Sequence, residues 1–379
     1  MLTMQDEPEP EPEPEGLDFV SLEFLKGWRE MLAKSRPINV ILAGRPGAGK
    51  STLVNTIFGK PIAKTGVGPP ITEVVRRYDD ADLPISVYDT PGIELDAGSV
   101  DEIAARFRTI VDENLADPDR RIHFALYCVG VGDVRFQPYE QKLIQALSDQ
   151  ITAAVVITKA RSPRSREANE LRDYIDSLKL PILGGKTFVT LAQPIEPDDD
   201  GDPLKPAFGL PELVNALAEN LTEAERFSFA RYQRVSLDLK FREAQKLIAA
   251  TATTAAGIAA IPIPILDAIP IAAAQLAMLA RITALMGLKV DPKALAGAVA
   301  ALIGMSQLAR TGVSMLKFFF PGIGSMINAS VAAGITTSLG DAYLRACRRI
   351  AERQNAGENM SEAALSAELI QEFKRRFRD

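Results

Sequence analysis

Between Pro37 and Val189, short apolar runs alternate with stretches whose apolar positions recur at helical spacing. The runs at 38–43, 74–78, 85–88, 124–129, 153–158 and 187–191 predict strands. Helical spacing predicts helices over 51–58, 99–115, 137–148, 166–178 and from 211 onward. This alternation builds a mostly parallel sheet with helices on both faces. Ahead of it, Leu17, Val20, Phe24, Leu25, Trp28 and Leu32 share one face of an amphipathic helix. That helix packs either on the sheet domain or on helices of the C-terminal half.

The pattern changes after about residue 212. Pro211 opens a long helical stretch carrying Phe227, Phe229, Tyr232, Val235, Leu237, Leu239 and Phe241. Three uncharged runs follow: 247–266, 294–309 and 318–340, of 20, 16 and 23 residues. The last is long enough to cross a bilayer as a helix. Two readings stay open. The runs are buried helices of a compact all-α domain rich in small residues, or they enter a membrane as a shallow hairpin. Pro262 and Pro264 interrupt the first run, with Asp267 and Pro270 directly after it, and Pro321, Gly322 and Gly324 interrupt the last, which disfavours straight spans. The tail places Ala364, Leu365, Leu369, Ile370 and Phe373 at helical spacing and ends in Lys374, Arg375, Arg376 and Arg378. Those cations suit a helix C-terminus or an anionic lipid surface.

Composition narrows the classes. The net charge of −6 comes from an acidic leader in which Glu and Pro alternate from Glu7 to Glu15. Such a segment cannot bury a core and reads as a disordered tail. The remainder is near neutral, which argues against a nucleic-acid partner. Cys128 and Cys347 lie far apart, without metal or disulfide spacing, and His123 is the single histidine. A reducing compartment and a structural role for His123 follow. The N-terminus lacks the apolar segment of a signal peptide.

The chemistry gathers at Gly44-Arg45-Pro46-Gly47-Ala48-Gly49-Lys50-Ser51, which fits G-x-x-x-x-G-K-[ST] between a strand and a helix, Thr52 following. Glycines let backbone N–H groups close round a phosphate chain, and the helix N-terminus adds partial positive charge. Lys50 reaches the β- and γ-phosphates and the Ser51 hydroxyl ligates Mg²⁺. Asp89-Thr90-Pro91-Gly92 follows the strand 85–88, 39 residues beyond Lys50. Asp89 there serves Mg²⁺, and the Gly92 N–H the γ-phosphate.

Together these two motifs resemble P-loop GTPases of the translation-factor-related class, closest to the Era-like and immunity-related-GTPase-like branches. The resemblance covers about residues 37–215. It implies a switch threonine that adds a second Mg²⁺ ligand and senses the γ-phosphate. Thr72, 22 residues beyond Lys50, matches that position, with Thr65 as runner-up. It also implies a base-reading [NT]-K-x-D, here Thr158-Lys159-Ala160-Arg161, and a last base-contacting loop at Leu191-Ala192-Gln193. Three departures stand out. Arg161 replaces an acceptor with a group that only donates. Ile93 stands where a glutamine orients water in Ras-like enzymes, so slow basal hydrolysis is expected, with help from dimerisation or another element. Gly47 replaces the asparagine that holds an activating potassium in some relatives. Arg45 reads either as an arginine finger acting in trans or as simply solvated or paired.

The segments at 261–270, 275–278 and 320–328 resemble the YcjF-type helical domain of unknown function, over about residues 235–345. That family accompanies Era-like GTPases and is associated with membranes. The resulting division is a tail (1–16), an N-terminal helix (17–36), a GTPase domain (37–215), an apolar helical domain (216–350) and a basic amphipathic helix (351–379). The expected function is a GTP-hydrolysing switch using GTP/GDP and Mg²⁺. Its partners are a membrane surface or membrane protein at the cytoplasmic face and a second copy docked through the GTPase domain. The alternatives are a dynamin-like remodelling machine, a nucleotide-binding scaffold with little hydrolysis, and an ATPase.

Overall fold

The computed structural model describes residues 19–63, 76–79, 84–89, 100–132, 136–197, 204–260, 268–288 and 329–355, with scattered positions between 292 and 299 and between 357 and 371. The apolar runs become strands β1 (Ile38–Gly44), β2 (Arg76–Asp79), β3 (Ile85–Asp89), β4 (Ile122–Gly130), β5 (Thr152–Thr158) and β6 (Phe188–Val189). The helices are α1 (Phe19–Lys34), α2 (Lys50–Phe58), α3 (Val100–Leu115), α4 (Pro138–Ser148), α5 (Arg166–Ser177), α6 (Leu210–Glu219), α7 (Glu223–Tyr232), α8 (Leu237–Ala259), α9 (Ala268–Met286) and α10 (Ala329–Asn355).

The strands form one six-stranded sheet in the order β2-β3-β1-β4-β5-β6. All neighbours are parallel except β2, which runs antiparallel to β3 at the edge. Every residue of β1 is buried, as a strand covered on both faces requires. β1 lies between β3 and β4, so the chain winds away from it in both directions. The crevice at its carboxyl end is therefore a topological switch point, where such sheets bind ligands.

Two compact units emerge. The sheet unit comprises Lys34–Glu243 with Leu285–Gly287; the helical unit holds the described residues up to Ala33, Ala244–Ala284, and those from Leu288 on. In the sheet unit, Phe107, Leu143, Ile144 and Leu147 from α3 and α4 share a core with Tyr127, Val129 and Val155. A second aromatic cluster forms where Phe229 of α7 meets Phe124 at 5.5 Å and Phe58 at 6.2 Å, both edge-on. That packing carries the unit's chain past position 215. The helical pattern opened by Pro211 is three helices rather than one. Thr222 and Glu225 form a capping box that starts α7. Fully buried Gln233 ties the next turn, donating to Ala230 and Ser236 carbonyls and accepting from the Val235 and Ser236 N–H groups. Buried Lys240 donates to the carbonyls of Arg231 and Leu285, and Arg234 donates to Gly287 O, which seats Leu285–Gly287 in this unit.

His123 is structural. Its Nδ1 accepts from the Asn39 N–H at 3.0 Å and its Nε2 faces Glu225 at 3.5 Å, so both ring nitrogens are engaged. Burial lowers its pKa against the upward pull of Glu225, with Arg121 adding to the lowering.

In the helical unit, α1 lies with the C-terminal helices. Gly27 packs tightly against Ala277, and Glu30 pairs with Arg281 at 3.3 Å. Val20 and Phe24 are fully buried, whereas Leu32, expected on the buried face, is 41 % exposed. Threonines sit in these apolar helices because their hydroxyls return to the carbonyl four residues back, as at Thr251, Thr253 and Thr254. Two buried polar pairs join α9 and α10: Gln275 donates to Thr336 at 2.9 Å, and Thr283 meets Tyr343 at 2.7 Å. Among the described residues, no helix is long and apolar enough to cross a membrane. Much of the runs at 294–309 and 318–340, and of the segments resembling the YcjF-type domain, lies outside those residues.

Candidate functional site

β1 ends at Gly44, whose φ of 130° is a conformation few side chains adopt. A β-carbon there would fall on the Cys128 carbonyl of β4. Gly47 follows with φ 76° in open space, and Gly49, also left-handed, caps α2. The chain thus turns from strand to helix between Gly44 and Lys50. Arg45 O closes the turn by accepting from the Ala48 N–H at 3.2 Å. Lys50, 9 % exposed, curls back so that its Nζ donates to Gly44 O and Arg45 O, both at 3.0 Å. Ser51 and Thr52 occupy the first turn of α2, half-buried. Pro46 is exposed and Ala48 buried.

Neighbouring strand ends complete the site. Asp89 closes β3 in register with Leu42 of β1, two residues before the loop. Cys128 of β4 pairs with Gly44. Burial pushes the Cys128 thiol up to about 12, with Lys50 opposing the shift and Asp89 adding to it. At the end of β5, the Thr158 hydroxyl lies 2.5 Å from Ala48 O and 3.3 Å from Val129 O. Thr158, expected as a base contact, is buried and braces the loop from beneath. The next residue, Lys159, is exposed with φ 61°. Its stem passes beside Gly49. A left-handed lysine costs roughly 1–2 kcal/mol, and strain of this kind collects at functional sites. Thr190 N donates to Ile157 O and Ala160 N donates to Thr190 O. These bonds bring the chain leading to half-buried Ala192 alongside the end of β5. Arg161 is exposed just past that end.

Arg45 is held within its own chain. Its Nε donates to the Tyr139 hydroxyl at 2.9 Å, and its NH2 group lies 3.3 Å from Glu140 Oε2. This pairing replaces the reading of Arg45 as a finger acting in trans. Tyr139 and Glu140 belong to no nucleotide-binding motif, although Gln137-Pro138-Tyr139-Glu140 has the shape of a capping box, which the structure forms. Asn55 makes a second unanticipated anchor: its amide bonds Ala63 in both directions at 2.8 Å, just before the segment bearing the switch threonine. Thr72 and Gly92, with Thr65 and Ile93, lie outside the described residues. Ser51 and Asp89 supply the oxygen donors that suit a hard cation such as Mg²⁺.

Residues 39–177 match the family model described as 50S ribosome-binding GTPase. The sheet unit has the P-loop GTPase fold, and the remainder of the chain is mostly helical. The chain is 30 % identical over 165 residues to GTPase Der of Cereibacter sphaeroides (strain ATCC 17025 / ATH 2.4.3), covering 41 % of this chain and 32 % of that one. It is 30 % identical over 168 residues to GTPase Der of Ruegeria pomeroyi, covering 42 % and 33 %. The match therefore spans about a third of these relatives' length. Among solved structures, the septin GTPase domain from Chlamydomonas reinhardtii aligns with a TM-score of 0.36 at 18 % identity, over 52 % of this chain and 97 % of that one. That likeness is too loose to bear on function.

Proposed function

We propose that the protein binds GTP with Mg²⁺ and hydrolyses it slowly to GDP and phosphate, as a switch coupled to its helical unit. One observation carries this reading. The glycine loop lies at the switch point of the sheet, with Lys50 and the start of α2 following the end of β1 and Asp89 at the end of the neighbouring β3. In this reading the loop amides and Lys50 hold the phosphate chain and neutralise charge that builds up as the terminal phosphoryl leaves. Ser51 and Asp89 hold the metal, which supplies electrostatic stabilisation of the phosphates when bound. Thr158 keeps Ala48, and with it the loop, from shifting. Lys159 flanks the base, and Thr72 closes on the γ-phosphate. Similarity to the GTPase Der proteins supports guanine as the base, with Arg161 in the place of the usual acceptor.

The uncharged runs and the basic C-terminus support contact of the helical unit with the cytoplasmic face of a membrane. The testing experiment is calorimetry with GDP, a non-hydrolysable GTP analogue and ATP, each with and without anionic vesicles. Guanine nucleotides are expected to bind and ATP not, with Lys50→Ala abolishing binding. Equal binding of GTP analogue and ATP would replace the guanine reading, and wild-type binding by Lys50→Ala would overturn the site. Indifference to vesicles in both nucleotide states would remove the membrane.

A further inference from the structure

The buried carboxylate of Glu140 has no place in the motifs that define the loop, yet it sits at the centre of a network that ends on Lys50. Glu140 is 1 % exposed. Its Oε2 accepts from the Gln137 N–H at 2.7 Å and faces Arg45 NH2 at 3.3 Å, and its Oε1 takes the Tyr127 hydroxyl at 3.4 Å. The same carboxylate oxygen thus caps α4 and anchors the second residue of the loop. The Arg45 guanidinium also lies 5.7 Å from the centre of the Tyr139 ring and bonds its hydroxyl. At the other end of Arg45, the backbone carbonyl accepts from Lys50 Nζ at 3.0 Å and from the Ala48 N–H at 3.2 Å. Arg45 therefore has its side chain fixed to α4 and its carbonyl fixed to the phosphate-binding lysine.

We propose that Glu140 and Tyr139 are positioning residues that set Lys50 through Arg45, so that the start of α4 controls how well the loop is formed. The bonding requires an arginine. Its planar fork serves Tyr139 and Glu140 at once, which a lysine ammonium on a flexible stem does not reproduce. It requires a buried carboxylate too, because a charge-assisted bond shielded from water is worth far more than its exposed counterpart. The affinity arm of the test rests on the nucleotide-binding reading, and the exchange arm does not.

The experiment compares wild type with Glu140→Gln, Arg45→Lys, Arg45→Gln and the Arg45→Gln/Glu140→Gln pair. In nucleotide-free protein, hydrogen exchange of peptides covering 44–52 is expected to rise about tenfold or more in each single variant, the scale of a lost bond between charged groups. Exchange over 152–158 stays at the wild-type rate, which separates loop positioning from general loosening. GTP-analogue affinity falls by a similar factor. The double variant loses no more than the worse single one, because both substitutions break one linkage. Unchanged exchange over 44–52, or double-variant losses that multiply, would overturn the proposal. Absence of nucleotide binding by wild type would instead overturn the reading of the site, and the exchange data would still decide the linkage.

Discussion

Gly44→Ala and Gly47→Ala make the same chemical change in one loop, at two glycines of positive φ, and they should behave very differently. At Gly47 the new methyl meets nothing within 4 Å. Its cost is the backbone conformation alone, roughly 1–2 kcal/mol. At Gly44 the methyl lands on the Cys128 carbonyl, which is part of the β1–β4 ladder and cannot swing aside as a side chain can. Forcing the strands apart adds about 1–3 kcal/mol to the backbone strain, for roughly 2–5 kcal/mol in all. Cys128 reports this directly, since it is buried and pairs with Gly44. The rate at which its thiol reacts with a bulky disulfide reagent follows the population of the opened form. Gly44→Ala is expected to speed that reaction by about thirtyfold or more, and Gly47→Ala by less, roughly five- to thirtyfold. Cys347, buried in the helical unit, supplies the control and should keep its wild-type rate. Equal acceleration at Cys128 by both substitutions would refute the steric account of Gly44. Acceleration of Cys347 to the same extent would show that the damage is not confined to the sheet.

Two other expectations use the same probes. Lys159→Gly removes a left-handed lysine, so it should slow Cys128 labelling, with about 1 kcal/mol gained, while weakening nucleotide binding; faster labelling would show that Lys159 is not strained. For His123 the folded pKa lies below the ordinary 6.5, so the unfolded chain takes up its proton first. Stability held above pH 6.5 should therefore be lost as pH falls below that value. An imidazolium can no longer accept from the Asn39 N–H, which gives the loss a structural cause. The urea midpoint, read between pH 7.5 and 5.5, should decline in wild type and flatten in His123→Gln. A midpoint that rises on acidification would mean that attraction to Glu225 prevails over burial.

Much of the sheet unit was legible because its signals are local. Alternating apolar runs with a glycine loop between the first strand and helix locate β1, α2 and Asp89 from spacing alone. A local pattern is silent where a residue's part depends on distant neighbours. Thr158 has the residue type of a base reader, and the fold also brings Ala48 O to its hydroxyl, a bond that no motif records. Glu140 is invisible to a loop pattern because it comes from a helix some 90 positions later, and its burial appears only after folding. The break of the 211-onward pattern lay in polar side chains bonding backbone, at Thr222 and Gln233, which apolar periodicity does not record. The helical unit was hard to read because runs of small apolar residues fit a buried bundle and a bilayer equally well.

The two polar pairs between α9 and α10 carry one more lesson. Gln275 meets Thr336, and Thr283 meets Tyr343. Both numbers rise together, so the two helices run in the same direction. The contacts stand eight residues apart on one helix and seven on the other, about 12 Å and 10.5 Å of rise. Faces lined with alanine would tolerate a slide along the axis, since one methyl replaces another at little cost. The polar pairs do not: displacement by a single turn takes the buried Gln275 amide and Tyr343 hydroxyl from their partners, while the two threonine hydroxyls keep the carbonyls of Leu279 and Ala332. They act as a key that admits one alignment, and a same-direction pair admits no short hairpin.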